Sequence, residues 1–193
     1  HDVIVVTINY RLGPLGWFTH PAIQGSQNGL DKASNFGTLD IISALEWVNK
    51  NINLFGGDPR NITIFGESAG GHNVLSLLVS KQAKGLFHKA ISMSGYTESI
   101  SIEDAYKQKN QSPTSNYSSW EVVKKIINDQ PYKNEQDKYN NEKLRNLLYS
   151  LSGKEFYQYY AERETFEELP LLTNDGIVIP KIGLKESLSK EEY

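Results

Sequence analysis

The sequence predicts an α/β fold in which a mostly parallel sheet carries helices on both faces, with a helical insertion added to it. A continuous β-branched run within residues 3–10 suits a strand that is buried on both faces, as in a parallel sheet. Two further short apolar runs, at 61–66 and 89–94, alternate with helical patterns at 38–51 and 69–80. This alternation of strands and helices is the order of a doubly wound sheet with right-handed crossovers.

The composition is that of an ordinary globular domain and excludes several classes of function. The 193 residues are 38% hydrophobic and 22% charged, which is typical of a folded domain. A net charge of −3 offers no basic surface for nucleic acid and no polybasic membrane anchor. The chain has no cysteine, which excludes disulfides and thiolate metal sites within it. No apolar run approaches the roughly 20 residues that span a bilayer.

A change of composition near Tyr96 divides the chain into three predicted segments. Residues 1–97 hold 12 of the 15 glycines and 13 charged residues, whereas residues 98–193 hold three glycines and 30 charged residues. We therefore predict an α/β core with the functional motif over 1–97, a charged helical insertion over 98–169, and a return segment over 170–193.

Within the core, Leu12–Phe36 is rich in Gly, Pro, Asn and Ser and is predicted as a long connecting loop. The helix at 38–51 follows from a stripe of apolar residues at helical spacing. The members of this stripe are Leu39, Ile42, Leu45, Val48 and Ile52. Gly56-Gly57-Asp58-Pro59 prevents any continuation of the helix.

The motif Gly66-Glu67-Ser68-Ala69-Gly70 joins the strand at 61–66 to the helix at 69–80 and fits Gly-x-Ser-x-Gly. This context is typical of a nucleophile elbow. Its turn is so tight that we expect a strained serine backbone, and collisions of any side chain at Gly66 or Gly70 with neighbouring backbone. The turn would expose the Ser68 hydroxyl and direct the Ala69 N–H toward an oxyanion. A Gly/Ser turn without chemistry is the alternative interpretation.

The second half of the chain is predicted to be mainly helical, packed on one edge of the sheet or over the carboxyl ends of its strands. Ser118–Glu121 is a capping box ahead of an apolar run. Leucines repeat at helical spacing over Asn141–Leu151, and Lys154–Arg163 predicts a further helix. Asn174–Gly176 predicts a turn into a short strand at Ile177–Ile179, which the following proline ends.

Four blocks of the core resemble one protein family. They are Val5–Gly13, Asn35–Gly37, Phe55–Gly70 and Ile91–Gly95. Together they resemble type B carboxylesterases, the branch of the α/β-hydrolases that includes cholinesterases and bile-salt-activated lipases. The long serine block is far more specific than Gly-x-Ser-x-Gly, because it also fixes Phe-Gly-Gly after the preceding helix. The resemblance covers residues 1 to about 97 and is not traceable in detail through the charged insertion.

The resemblance implies a partial α/β-hydrolase fold and hydrolysis of a small-molecule carboxylic ester through an acyl-enzyme, without cofactor or metal. It implies that Ser68 is the nucleophile and that Ala69 provides one N–H of the oxyanion hole. Glu67 would lie near the catalytic histidine, and Ser94 would lie beneath the active site with a supporting role. Arg11 matches a buried arginine that pairs with a carboxylate, and we interpret it as half of a structural ion pair.

Departures from the family pattern concern the rest of the catalytic machinery. The family's glycine-rich oxyanion loop precedes the strand matched by 3–10, so we expect it outside this chain. The triad order is Ser, acid, His, and only His72 and His88 follow Ser68. His72 lies on the elbow helix and His88 precedes a core strand, so we expect neither to be the base. We therefore expect an inactive internal fragment of a longer esterase. The triad acid is not assigned to the nearby carboxylates Asp175, Glu186 or Glu191.

A non-catalytic adhesion or scaffold protein that keeps the same fold is the alternative function. Loss of the nucleophile is the usual mark of such proteins, so the presence of Ser68 between two glycines favours the enzyme. The substrate, the oligomeric state and the compartment, whether secreted or cytoplasmic, stay open at the level of sequence.

Overall fold

The computed structural model describes residues 2–106, 118–129, 140–161 and 172–190. Within these ranges the chain forms four short strands, β1 (Thr63–Glu67), β2 (Lys89–Met93), β3 (Ile100–Ser101) and β4 (Thr173–Asn174). It also forms nine α-helices, α1 (Gly13–Gly16), α2 (Pro21–Gln24), α3 (Phe36–Asn51), α4 (Ala69–Val79), α5 (Ile102–Tyr106), α6 (Ser119–Asn128), α7 (Asn141–Ser150), α8 (Gly153–Ala161) and α9 (Leu184–Ser189). None of these described helices combines the length and the apolar character needed to cross a membrane.

A parallel β–α–β unit forms the centre of the fold. β1 pairs with β2 in parallel register, with Thr63 opposite Lys89 and Glu67 opposite Met93, and α4 connects them. Ile62 and Ile64 are buried in the main apolar cluster, which α3 and α4 also supply. These elements confirm the predicted strands near 61–66 and 89–94 and both predicted core helices.

Residues 3–10 do not form a strand of the sheet, so this prediction is wrong. Residues 3–9 make no backbone hydrogen bond to the described part of the chain, and the side chains of Val3 and Val5 are 73% and 66% exposed. β-Branched residues favour a strand only where a neighbouring ladder receives their backbone groups. Here a cavity separates this segment from β1.

The connection at Leu12–Phe36, predicted as a loop, contains the short helices α1 and α2. α2 begins where Pro21 occupies the first helical turn and the His20 ring accepts a hydrogen bond from the Ala22 N–H. Proline at this position is pre-organised for a helix and loses no hydrogen bond there. Pro21 was therefore an indication in the sequence that a helix begins within this Gly- and Ser-rich stretch.

Helices of the charged segment build a second apolar cluster. Buried residues of α6, α7 and α8 pack against Phe18 and Ala22. The Ser118 hydroxyl accepts a hydrogen bond from the Glu121 N–H, which confirms the predicted N-cap of α6. The predicted helices at 141–151 and from Lys154 onward are also confirmed within the described residues. The ranges 107–117, 130–139 and 162–171 lie outside them.

Residues 177–179 do not form the predicted strand. The carboxylate of Asp175 binds the backbone of this return segment instead. Asp175 is 6% exposed, and its Oδ1 accepts the N–H groups of residues 177, 178 and 179 at 3.0, 2.8 and 3.1 Å. Its Oδ2 accepts from the Ser34 N–H and the Asn35 amide at 3.1 and 2.8 Å. Because three consecutive amides converge on one oxygen, they cannot extend into a ladder.

Candidate active site

Ser68 occupies a strained turn between β1 and α4. Its φ and ψ are 53° and −116°, a conformation that costs a residue with a side chain about 1–3 kcal/mol. The Ser68 N–H donates to the Met93 carbonyl at 2.9 Å, and the Ser68 carbonyl accepts from the His72 N–H at 2.9 Å. These two bonds fix the turn between the end of the sheet and the helix, so the strand–turn–helix context predicted for the motif is present.

The two glycines of the motif do not have the same role. A Cβ on Gly66 would overlap the carbonyl group of Gly70, so residue 66 must be glycine for the turn to close. A Cβ on Gly70 would meet nothing within 4 Å. The expectation of a collision at Gly70 is therefore wrong, because its Cβ would project away from the turn into open space.

A second strained turn supports the first. Ser94 follows β2 directly and has φ of 51°. A Cβ on Gly71 would lie 2.8 Å from the Met93 carbonyl oxygen, and a Cβ on Gly95 would lie 2.7 Å from the Gly71 carbonyl carbon. The Ser92 hydroxyl donates to the Gly71 carbonyl at 3.0 Å. The start of α4 and the exit of β2 are thus in backbone contact, and Ser94 lies within the exit of β2.

The other residues predicted for the site surround Ser68 along the chain. Glu67 ends β1, Ala69 begins α4, and both are exposed together with Ser68. The first N–H groups of a helix have no partner within it and lie at the positive end of its dipole. The Ala69 N–H is therefore available to an oxygen that acquires negative charge beside Ser68.

The ring of His72 is engaged elsewhere. Its Nδ1 is 2.7 Å from the Tyr96 carbonyl oxygen, and the two rings stack with centroids 4.0 Å apart. Burial lowers the pKa of His72, while the bond to Tyr96 and the charge of Glu98 act in the opposite direction. These contacts make His72 part of the packing between α4 and the segment that follows β2.

The other described histidines lie away from Ser68. His88 Nδ1 accepts from the Ile62 N–H at 3.3 Å, at the amino end of the sheet, whereas Ser68 lies at the carboxyl end. Five strand residues correspond to about 16 Å. His20 is buried between Phe18 and Trp120, and burial lowers its pKa to about 4. Within the described ranges, the hydrogen bonds of His20, His72 and His88 are made with residues other than Ser68.

Arg11 forms the expected ion pair, though not the expected buried one. Its Nε and Nη2 donate to the two carboxylate oxygens of Asp40 at 2.8 Å each, and its backbone N–H adds a third bond. The Arg11 side chain is 51% exposed, and its guanidinium lies over the Phe36 ring. Hydrogen bonding to Arg11 lowers the pKa of Asp40. The pair anchors the end of the N-terminal segment to α3.

The described carboxylates weighed as a triad acid have structural partners or lie on short elements. Across the described ranges, His, Asp and Glu side chains form no group of three or more that would hold a metal ion. Asp175 is committed to the five donors described above. Glu186 lies on the short helix α9, and Glu191 lies outside the described residues.

The chain is similar to carboxylesterases of known sequence and structure. The model of the carboxylesterase family matches residues 1–117. A para-nitrobenzyl esterase from Bacillus subtilis is 48% identical over 104 residues, covering 54% of this chain and 20% of that protein. Carboxylesterase 3 from Homo sapiens is 38% identical over 192 residues, covering 100% of this chain and 29% of that protein. The solved structure of a thermophilic PNB esterase matches with a TM-score of 0.70 at 29% identity, covering 95% of this chain and 34% of that chain.

The structural match extends beyond the core blocks of the sequence, because it includes 95% of the chain. The chain spans less than a third of the length of the two curated relatives, 20% of one and 29% of the other. Its parallel β–α–β unit and strained serine turn are thus part of an α/β-hydrolase fold. With a family model matched over residues 1–117 of 193, the chain belongs to the carboxylesterase family.

Proposed function

We propose that this chain is the nucleophile-bearing part of a serine carboxylic-ester hydrolase. The observation that carries the proposal is the backbone of Ser68, held at φ 53° between β1 and α4. Strain of this size persists only where the surrounding structure maintains it, and such strain is concentrated at functional sites. The turn presents an exposed hydroxyl beside the first N–H of α4, which has no partner within the helix, and acyl transfer uses this combination.

The chemistry follows from the positions of these groups. The Ser68 Oγ attacks the ester carbonyl carbon, and its proton passes to a general base. The carbonyl oxygen becomes negative and accepts the Ala69 N–H, together with donors from outside the described residues. The alcohol leaves with a proton from the same base, which produces an acyl-Ser68 ester. Water then attacks this ester with base assistance and releases the carboxylic acid and the free serine.

Small carboxylic esters are the proposed substrates. The relatives reported above are named as a para-nitrobenzyl esterase and a carboxylesterase. Glu67 is proposed to lie near the catalytic histidine and Ser94 to support the turn from below.

We further propose that the 193-residue chain does not catalyse hydrolysis alone. His20 and His72 are engaged elsewhere, and His88 lies at the opposite end of the sheet. Triad members act as a unit, and loss of one removes most of the acceleration. Hydrolysis therefore needs a base from a longer polypeptide that includes these residues and a downstream histidine.

The test compares p-nitrophenyl acetate hydrolysis and fluorophosphonate labelling in this chain, in the longer polypeptide, and in Ser68→Ala versions of both. The longer polypeptide should hydrolyse the ester, and Ser68→Ala should reduce kcat by several orders of magnitude and abolish labelling. The short chain should not exceed its own Ser68→Ala control. Robust Ser68-dependent turnover by the short chain would contradict its proposed inactivity. A longer polypeptide without Ser68-dependent turnover would favour the adhesion or scaffold role instead.

A further inference from the structure

The sequence contains one Asn-Gly pair, Asn28-Gly29, and one Asp-Gly pair, Asp175-Gly176. In both pairs the glycine nitrogen can attack the side-chain Cγ of the residue before it and close a five-membered imide. Glycine favours this ring closure because it has no Cβ to hinder its nitrogen and because it leaves the backbone free to rotate. The structure gives the two pairs opposite surroundings.

Asn28 lies at the tip of an exposed loop, directly before a short helical turn at Gly29–Lys32. Within the described residues, neither its side chain nor the Gly29 N–H has a hydrogen-bond partner. Gly29 has φ of 57°, and a Cβ there would meet nothing within 4 Å. The Asn28 ψ of 160° must change for the two reacting groups to meet, and no described contact opposes that rotation.

The base of this loop is closed independently of its tip. The Gln24 side chain donates to the Ala33 carbonyl at 3.4 Å, and its Oε1 accepts the His20 N–H at 2.8 Å. Gln24 and Ala33 are buried, whereas most of residues 25–32 are exposed. The loop tip therefore projects from a buried anchor, and a covalent change at residue 28 leaves that anchor intact.

Asp175 is held away from the same reaction. Its two carboxylate oxygens accept five hydrogen bonds, and the residue is buried. The Gly176 N–H is also engaged, because it donates to the Ile179 carbonyl at 2.8 Å. These bonds must break before the ring can close, so the reaction at Asp175 requires a local opening of the return segment.

We propose that Asn28 is a deamidation site, converted through a cyclic imide with Gly29 into aspartate and isoaspartate while the chain stays folded. The Gly29 nitrogen bonds to the Asn28 Cγ, and its proton leaves with the side-chain amide as ammonia. Water then opens the imide at one of its two carbonyls. Opening at the side-chain carbonyl produces aspartate, and opening at the backbone carbonyl produces isoaspartate, in which the chain continues through Cγ. Water is the only co-reactant.

Both products replace a neutral amide by a carboxylate at the loop tip. The formal net charge of −3 therefore becomes more negative by one charge. Exposed loop tips tolerate such changes, and surface substitutions away from packed features seldom alter stability. The modified chain should keep its fold and separate from the native chain by charge alone, and this chemistry is independent of Ser68.

Peptide mapping by mass spectrometry tests the proposal. The chain is kept in mildly alkaline buffer, either folded or unfolded in guanidinium chloride, and isoaspartate is labelled with an isoaspartyl methyltransferase and S-adenosylmethionine. The rates at Asn28 should agree within about threefold between the two states, whereas folding should slow the reaction at Asp175 at least about tenfold. A folded chain in which Asn28 is slowed as strongly as Asp175 would overturn the proposal.

Two matched variants assign the label. Asn28→Gln keeps an exposed amide but would need a six-membered ring, so it should remove the methyl-accepting site from the folded chain. Asn53→Gln makes the same substitution at another exposed asparagine, which leucine follows, and should leave the label unchanged. Equal labelling of the two folded variants would contradict the assignment to Asn28.

Thermal unfolding of the modified chain, separated by ion exchange, provides a second measurement. The modified and native chains should unfold at the same temperature, because the buried Gln24 anchor does not depend on residue 28. A clear destabilisation of the modified chain would show that the loop tip is part of the packed structure, and would contradict the free tip on which the proposal depends.

Discussion

The imidazole of His72 lies face to face with the phenol ring of Tyr96, with 4.0 Å between centroids and 18° between planes. The same imidazole contacts the Tyr96 backbone, with 2.7 Å between its Nδ1 and the carbonyl oxygen. One side chain, one turn after Ser68, thus attaches α4 to the segment that leaves β2. His72 is therefore a structural residue of the elbow.

Substitution of His72 should lower stability in two separable steps. His72→Phe keeps a stacked ring and leaves the Tyr96 carbonyl without its partner, which should cost about 1 kcal/mol of unfolding free energy. His72→Ala also removes the stacking, for a further cost of about 0.5–1.5 kcal/mol. Urea unfolding of the two variants measures both steps. A His72→Phe variant as stable as the native chain would show that the hydrogen bond contributes nothing.

Acid should destabilise the fold through His20. The His20 Nδ1 accepts the Ala22 N–H, and burial lowers its folded-state pKa to about 4, below the unfolded value of about 6.5. The unfolded chain therefore binds the proton first, and stability that is complete above pH 6.5 falls as the pH drops toward 4, by about 3 kcal/mol.

The control for this prediction is His20→Asn, which keeps an acceptor at the helix N-cap and cannot titrate. Unfolding free energies of both proteins between pH 7 and 4.5 provide the comparison. The native chain should lose more stability over this interval than the variant. Equal pH slopes would contradict the assignment to His20.

The glycines of the elbow should differ in their tolerance of alanine. Gly66→Ala places a Cβ on the Gly70 carbonyl group, so the turn must open, at a cost of about 2–4 kcal/mol. Gly70→Ala enters open space within a helix and should be neutral or stabilising by up to about 1 kcal/mol. Thermal unfolding of the pair measures the difference, and equal effects would show that the turn can rearrange.

A substitution that relieves the backbone strain at residue 68 should stabilise the folded protein. Ser68→Gly relieves the positive φ, whereas Ser68→Ala retains it, so the glycine variant should be more stable than the alanine variant by about 1 kcal/mol. Both variants lack the hydroxyl, so the difference does not reflect catalysis. Chemical denaturation of the two proteins tests this expectation, and a less stable glycine variant would contradict strain at this residue.

Local sequence patterns predicted the elements whose stability depends on neighbours close in the chain. The spacing of the α3 stripe, the Ser118 cap and the strand–turn–helix pattern around Ser68 can each be recognised within one short window of sequence. The prediction of a strand at residues 3–10 was wrong because a β-branched run becomes a strand only when a neighbouring strand pairs with its backbone groups. Sequence periodicity contains no information about whether that neighbour is present.

The turn at Ser68 could be predicted from the sequence, whereas most of the contacts that hold this turn could not. Gly-x-Ser-x-Gly identified the turn, but the contact between Gly71 and Gly95 joins positions 24 residues apart, and no local pattern links them. The role of Asp175 had a usable signal, since Asn-Asp-Gly turns often direct a carboxylate to the following N–H groups. The predicted strand at 177–179 overlooked that the carboxylate competes for those same amides.

The Asp175 carboxylate also has a consequence for the order in which the chain folds. Its partners Ser34 and Asn35 are 141 and 140 residues away in sequence, and closing so long a loop costs entropy before any contact forms. During synthesis, the Asn35 amide emerges long before its acceptor does. The β–α–β unit, built from residues 63–93, can fold by local contacts first. Docking of the return segment is therefore expected to be a late event that completes a core already formed around Ser68.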